Sequence, residues 1–340
     1  MGDYYSCAKN AQAEVKCWGF ANAGGNGIDS SKKDITNYFS AYTGNLKQVS
    51  VATGASCLVT KDSRVKCHGS SSFSQLGDGL QSDSFKAVVP VGLDANISEV
   101  TSGSYRFCAV KQDGGLWCWG WGFGDTPSEV FGSGMKFVRV ALGSDHHCAI
   151  STDFRAQCWG SNDKGQLGIG KDISTSKNSP IPVAGLQRGV VQTAVGNKHS
   201  CALSSQGGVK CWGWNSIGQL GNGTTADSSS PVDVAGLEAG VVSIAASSDT
   251  SCALLESGTL KCWGANASGQ LGNGNTENKD TPVEVSALKD AVKSFSMKAD
   301  VVCAIDKSDV AWCWGEGSSF GRLGNGASQN SSVPVKVNDF

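Results

Sequence analysis

Gly196-Asn-Lys-His-Ser-Cys-Ala-Leu-Ser-Ser-Gln-Gly-Gly-Val-Lys-Cys-Trp-Gly213 is the stretch that decides the fold of this chain. Two short runs, Ser200 to Leu203 and Val209 to Trp212, flank a polar turn centred on Gln206 with Gly207 and Gly208 beside it. Alternating runs bounded by Gly and Ser read as the two strands of a hairpin. Folded that way, Ala202 stands opposite Lys210 and Cys201 opposite Cys211. Directly opposed cross-strand Cβ atoms are close enough for a disulfide.

Working outward, the same spacing recurs along the chain: Cys7/Cys17, Cys57/Cys67, Cys108/Cys118, Cys148/Cys158, Cys201/Cys211, Cys252/Cys262 and Cys303/Cys313. Six of the second cysteines open Cys-Trp-Gly, and Cys67 opens Cys-His-Gly. A repeat of about 50 residues marks a propeller or solenoid. Around the hairpin of residues 196–213 stand an apolar stretch at Val190 to Val195, a glycine loop at Gly218-Gln-Leu-Gly-Asn-Gly223, and Pro231-Val-Asp-Val234. Four short strands per unit make one blade. Seven units predict an all-β, seven-bladed propeller of four-stranded blades, with one disulfide per blade and residues 1–340 as a single domain. An open solenoid would need polar caps, which neither terminus resembles. No segment has the period and caps of a helix of three turns.

Composition agrees. The chain has 45 glycines in 340 residues, as turn-rich blades require, and a formal net charge of −2. No basic stripe points to nucleic acid. No apolar run is long enough for membrane insertion. Met1-Gly-Asp-Tyr-Tyr5 is not a signal peptide, so a leader is expected to have been removed or replaced.

Gly-Gln-Leu-Gly at 165–168, 218–221 and 269–272, its near copies Ser74-Gln-Leu-Gly77 and Gly321-Arg-Leu-Gly324, the Cys-Trp-Gly strand ends and Gly196-x-x-His-Ser-Cys-Ala-Leu203 together resemble the repeat of the RCC1 (regulator of chromosome condensation) family. The resemblance covers nearly the whole chain and implies seven blades. Three departures stand out. The first unit has Asn22-Ala-Gly-Gly-Asn-Gly27 in place of the glycine loop. The third unit lacks that loop, running from Trp119-Gly-Trp-Gly-Phe-Gly124 to Pro127. The closing blade has fewer residues between Pro334 and Cys7 than lie between Pro231 and Cys252. A trimmed terminus or a slot for a partner's strand would each account for that shortfall.

An even number of cysteines at a fixed cross-strand spacing predicts within-blade bridges rather than buried thiols. The spacing lacks the short Cys-x2-4-Cys of structural zinc sites, and no Cys-x-x-Cys is present for disulfide exchange. Such bridges place the chain in an oxidising compartment: extracellular, periplasmic or an organelle lumen. The nuclear member of the family is a nucleotide-exchange factor for a small GTPase. Bridges and the absence of a basic tail argue against that role. Asn96-Ile-Ser98, Asn222-Gly-Thr224, Asn266-Ala-Ser268 and Asn330-Ser-Ser332 are glycosylation acceptor triplets.

No catalytic constellation, phosphate loop or cofactor motif is found. The histidines are read as structural. Asp145, Asp249 and Asp300 share one repeat position, three before the cysteine, and are weak candidates for a cation ring; turn capping is the preferred reading. The candidate partner-binding residues are those that break the repeat in loops. Phe20, Trp121 and Trp214 follow the Cys-Trp-Gly phrase where other units hold Ser70, Ser161, Ala265 or Glu316. Phe123, Tyr105, Arg106, His146 and Lys198 complete the set. The expected role is a non-catalytic scaffold binding another protein or a larger assembly. A secreted enzyme inhibitor similar to the propeller-type β-lactamase inhibitor, and a glycan-binding lectin, are the alternatives.

Overall fold

The computed structural model describes residues 5–9, 15–19, 45–132, 134–170, 175–317 and 321–338. The first repeat contributes a hairpin, β1 (Tyr5–Lys9) and β2 (Val15–Gly19). Six antiparallel sheets of four strands follow. They are β3 (Leu46–Val51), β4 (Ala55–Thr60), β5 (Val65–Gly69) and β6 (Ser84–Val88); then β7 (Ile97–Ser102), β8 (Arg106–Lys111), β9 (Leu116–Gly120) and β10 (Gly124–Glu129). Next come β11 (Phe137–Leu142), β12 (His146–Ser151), β13 (Ala156–Gly160) and β14 (Lys177–Pro182), then β15 (Val190–Val195), β16 (His199–Ser204), β17 (Val209–Gly213) and β18 (Ser228–Asp233). The last two are β19 (Val241–Ser247), β20 (Thr250–Leu255), β21 (Leu260–Gly264), β22 (Lys279–Glu284), and β23 (Val292–Lys298), β24 (Val301–Asp306), β25 (Ala311–Gly315), β26 (Ser331–Lys336). Each sheet is a meander in chain order, as in an all-β propeller. No described helix is long and apolar enough to cross a membrane.

The chain divides into two compact units. One comprises Met1–Val138, Ser319–Ser328 and Asn338–Phe340; the other comprises Arg139–Ser318 and Gln329–Val337.

The expected register holds. Cys201 faces Cys211 and Ala202 faces Lys210, with the same cysteine pairing in every hairpin, including Cys7 opposite Cys17. Six disulfides are formed: Cys57–Cys67, Cys108–Cys118, Cys148–Cys158, Cys201–Cys211, Cys252–Cys262 and Cys303–Cys313. Cys17 is also disulfide-bonded, while the side chain of Cys7 lies outside the described residues. The fourth strands carry Pro127, Pro231, Pro282 and Pro334. Each of these strands breaks register against its neighbour, an edge position where a missing N–H is tolerated.

The repeat's sequence signature is a latch between successive sheets. Trp119 Nε1 donates to Gln75 O at 2.8 Å, Trp212 to Gln166 O at 2.9 Å, and Trp263 and Trp314 to Gln219 O and Gln270 O at 3.0 Å. Trp18 does the same with Arg322 O at 3.0 Å. The Leu between Gln and Gly is fully buried at Leu76, Leu167, Leu220 and Leu271. The Gly that follows lies against the next indole: a Cβ on Gly221, whose φ is +68°, would stand 2.6 Å from Trp263 Nε1. Any side chain there meets both backbone strain and a ring.

The expected architecture needs one correction. Six four-stranded blades are formed, not seven; the first repeat supplies only the two-stranded β1–β2 among the described residues. Its loop sequence, Asn22 to Gly27, has no Gln-Leu to offer, and the next repeat carries His68 where the indole donor should be. In sequence, that junction carries neither the Gln-Leu nor the Trp of the latch. Residues 20–44, which contain that loop, lie outside the described residues.

Candidate functional site

A second backbone contact recurs in every four-stranded sheet and brings two loop positions together. The residue after the Cys-Trp-Gly phrase donates its N–H to the carbonyl three residues before the sheet's first cysteine. The bonds are Ser70 to Gly54, Trp121 to Tyr105, Ser161 to Asp145, Trp214 to Lys198, Ala265 to Asp249 and Glu316 to Asp300, all 2.8–3.0 Å. The Gly before each donor makes this approach possible. Gly120 has φ +93°, and a Cβ there would lie 2.6 Å from Tyr105 O. The sheet thus holds two side chains side by side at a fixed place, and only their identity changes from blade to blade.

In the third repeat those two side chains are Tyr105 and Trp121, and an aromatic cluster forms around them. Tyr105 packs edge-on to Trp121 at 6.4 Å between centroids, and Phe73 from the preceding sheet's loop packs on Tyr105 at 4.8 Å. The Arg106 guanidinium lies 5.2 Å from the Trp121 ring and 5.9 Å from that of Phe123. The loss of the glycine loop shapes this site. Residues 121–123 close β9 to β10 in one tight turn, with Phe123 N–H bonded to Gly120 O at 2.9 Å. Trp121 remains 53% exposed and Phe73 45% exposed, although each has aromatic neighbours. A large ring left half in water is poised to bury area against a partner.

Phe73 was not singled out in the sequence. It precedes Ser74-Gln-Leu-Gly77 at a place where other repeats hold Lys164, Ile217 and Ser268, a departure readable by internal comparison. Its meeting with Tyr105 is a contact between sheets, which no local pattern reveals.

The same two positions in the fifth repeat hold Lys198 and Trp214. Here the preceding loop supplies Asp163: Lys198 Nζ donates to its Oδ2 at 2.6 Å, and Gln166 Nε2 to its Oδ1 at 2.9 Å. The hydrogen bond from Gln166 and then the ammonium of Lys198 bring the Asp163 carboxyl down to about 2, and Asp163 in turn raises Lys198. Both side chains are well exposed, so the pair adds little stability. Phe20, the first repeat's candidate, lies outside the described residues.

His146 turns inward. It is fully buried, and its Nε2 lies 2.9 Å from Ser200 Oγ, which donates to Gln166 O. His199 repeats this arrangement through Ser251 to Gln219 O. With the serine's proton given to the carbonyl, the serine oxygen is left to accept from each imidazole's Nε2–H. Burial, aided by the neighbouring imidazoles, lowers both histidines to about 3.

The three acidic residues do not form a ring of ligands: among the described residues, no three His, Cys, Asp or Glu side chains converge as a metal site. Asp249 is nevertheless perturbed. Burial and then the charge of Asp300 raise it, against a hydrogen bond from Asn197 that lowers it.

Comparison with known proteins follows from this repeat geometry. Two models of the regulator of chromosome condensation (RCC1) repeat match, one over residues 158–203, 206–254 and 257–305, the other over 97–123, 137–166, 190–219 and 241–270. The chain belongs to the RCC1 repeat family. It is 31% identical over 295 residues to the ultraviolet-B receptor UVR8 of Arabidopsis thaliana, across 81% of this chain and 66% of the receptor. It is 33% identical over 186 residues to the human E3 ubiquitin-protein ligase HERC2, across 52% of this chain and 4% of the ligase. The chain therefore spans less than two thirds of the length of either relative. Among solved structures of the family's fold, Prp20p of Saccharomyces cerevisiae superimposes with a TM-score of 0.82 at 19% identity, over 99% of this chain and 87% of that one.

Proposed function

We propose that this chain is a non-catalytic protein-binding scaffold of an oxidising compartment, and that it docks its partner on Phe73, Tyr105, Arg106, Trp121 and Phe123. The observation carrying this reading is the half-exposed aromatic cluster built where the third repeat abandons the glycine loop. Exposed, pre-packed aromatics with an arginine among them are the composition of interface hot spots, and a rigid sheet behind them limits the entropy lost on binding. Prp20p, whose structure this fold matches, is described as binding Gsp1p and histones, which supports protein recognition as the use of such a scaffold. Disulfides in six blades support the oxidising compartment.

A lectin would reuse one pocket in several blades. The position of Tyr105 instead holds Asp145, Lys198, Asp249 and Asp300 elsewhere, so repeated sugar binding is disfavoured. The test is capture from the native source with the wild-type chain and with Trp121→Ala, Trp214→Ala serving as a matched control. The expected result is one partner lost with Trp121→Ala and kept with Trp214→Ala. Identical bound material on wild type and Trp121→Ala would sink the reading, and an enzyme as the partner lost would select the inhibitor form of it. Intact mass with and without reduction tests the compartment: each bridge lowers the mass by about 2 Da through loss of two thiol hydrogens.

A further inference from the structure

The four Asn-x-Ser/Thr triplets look alike in sequence, and the structure separates them. Asn266 is buried. Its Nδ2 donates to Asn275 O at 3.0 Å and Glu277 O at 2.9 Å, and its Oδ1 accepts from Leu271 N–H at 2.9 Å. Asn215, at the same repeat position but in no triplet, makes the matching bonds to Thr224 O, Ala226 O and Leu220 N–H. Asparagine there serves the fold. Asn330 Oδ1 accepts from Gly317 N–H at 3.1 Å, just as Asp227 and Asn278 accept from Asn215 and Asn266. Asn222 Oδ1 accepts from Thr224 Oγ1 at 2.9 Å and closes the glycine loop, as Asn273 does for Asn275.

Asn96 differs from all three. It is exposed, and its carboxamide makes no hydrogen bond among the described residues. The fold uses only its backbone: φ is +62°, and its carbonyl accepts from Gln112 N–H at 2.8 Å. Gly189 and Gly240, also at positive φ, do the same job for Ser205 and Glu256. No side chain is needed at this place, so the Asn96 amide is free to carry a substituent pointing into solvent.

We propose that Asn96 is an N-glycan acceptor of this chain. The proposal rests on the oxidising-compartment reading above, because the transfer takes place in a secretory lumen. In that transfer the Asn96 Nδ2 forms a bond to C1 of a lipid-pyrophosphate-linked oligosaccharide. The C1–oxygen bond to the pyrophosphate breaks, the lipid pyrophosphate leaves, and the amide proton passes to the transferase. Ser98 Oγ, which the acceptor triplet requires, donates to Val110 O at 2.8 Å in the folded sheet, so transfer precedes pairing of β7 with β8. A sugar on Asn266 would block folding instead.

The test uses the full chain isolated from its native source. Peptide N-glycosidase in heavy-oxygen water converts a glycosylated asparagine to a labelled aspartate, read in tryptic peptides, and intact mass before and after reduction counts the disulfides in the same sample. Label at position 96 and none at 266 is the expected result. Asn96→Gly, which suits the backbone, should abolish the sugar mass without lowering Tm. A disulfide-bonded chain without label at 96, or with label at 266, overturns this proposal alone. A chain without disulfides overturns the compartment reading and this proposal with it.

Discussion

His199 shows how tightly single residues are specified. A Cβ placed on Gly196 would press on the His199 ring and lie 2.6 Å from Ser248 O. The imidazole is buried and bonded to Ser251, so it has no room to yield. Gly196→Ala is therefore expected to destabilise the protein by about 1–3 kcal/mol through overpacking. Gly236 has φ +68° and nothing within 4 Å of a new Cβ, so Gly236→Asn should change Tm little in the same thermal melt. The histidines also set a pH response. With folded values of about 3 against an ordinary imidazole value of 6.5, both are neutral in the fold and take up protons on unfolding below pH 6.5. Stability is then full above pH 6.5 and falls as pH drops toward 3, at about 1.4 kcal/mol per pH unit for each histidine. Denaturant titrations at pH 7 and pH 5 should show the loss, and a His146→Gln, His199→Gln chain should flatten it. Asp249, raised by burial and by Asp300, acts with the opposite sign: its ionised form strains the fold at neutral pH, so Asp249→Asn should raise Tm at pH 7.

At the scale of elements, the hairpin and the latch are separable. Replacing both Cys201 and Cys211 by serine is expected to lower stability by about 2–3 kcal/mol, measured in denaturant, because the short loop is no longer closed in the unfolded chain. Trp263→Phe keeps most of the buried area but loses the indole bond to Gln219 O. That carbonyl retains Ser251 Oγ at 3.1 Å, so the expected loss is about 1–2 kcal/mol rather than that of an orphaned acceptor. Strands, hairpin register and cysteine pairing were all readable, since a period of two and a central turn leave one register that opposes Cys201 to Cys211. The count of complete blades was not. The repeat period counted cysteine pairs, and a cysteine pair marks only the two central strands of a sheet; the first repeat's pair lies on β1 and β2, the two strands that repeat shows among the described residues. The candidate site was half legible because one of its contacts crosses from one sheet to another. Tyr105, Arg106, Trp121 and Phe123 stood out as departures from the repeat, while Phe73 gained meaning only by packing on Tyr105.

For the molecule as a whole, the bridges lie inside the blades. Among the six fully described disulfides, the cysteines of five are fully buried or nearly so, and Cys303 of the sixth is partly accessible. Attack by a thiolate requires access to a sulfur. Of these six, Cys303–Cys313 should be reduced and alkylated first under native conditions, with the other five opening only in denaturant; peptide mapping of the alkylated cysteines checks the order. Equal reduction of these six bridges in the native state would contradict the burial. Local periodicity by itself determined the all-β class, the meander of each blade, the cysteine pairing and the family, because each is fixed by residues close in the chain. The tertiary structure alone decided that six blades reach four strands, that His146 faces inward while Trp121 stays in water, and that Asn96 alone of the four acceptor asparagines keeps its whole carboxamide out of hydrogen bonds among the described residues. Each of these is settled by how strands and loops come together in space, which local periodicity does not record.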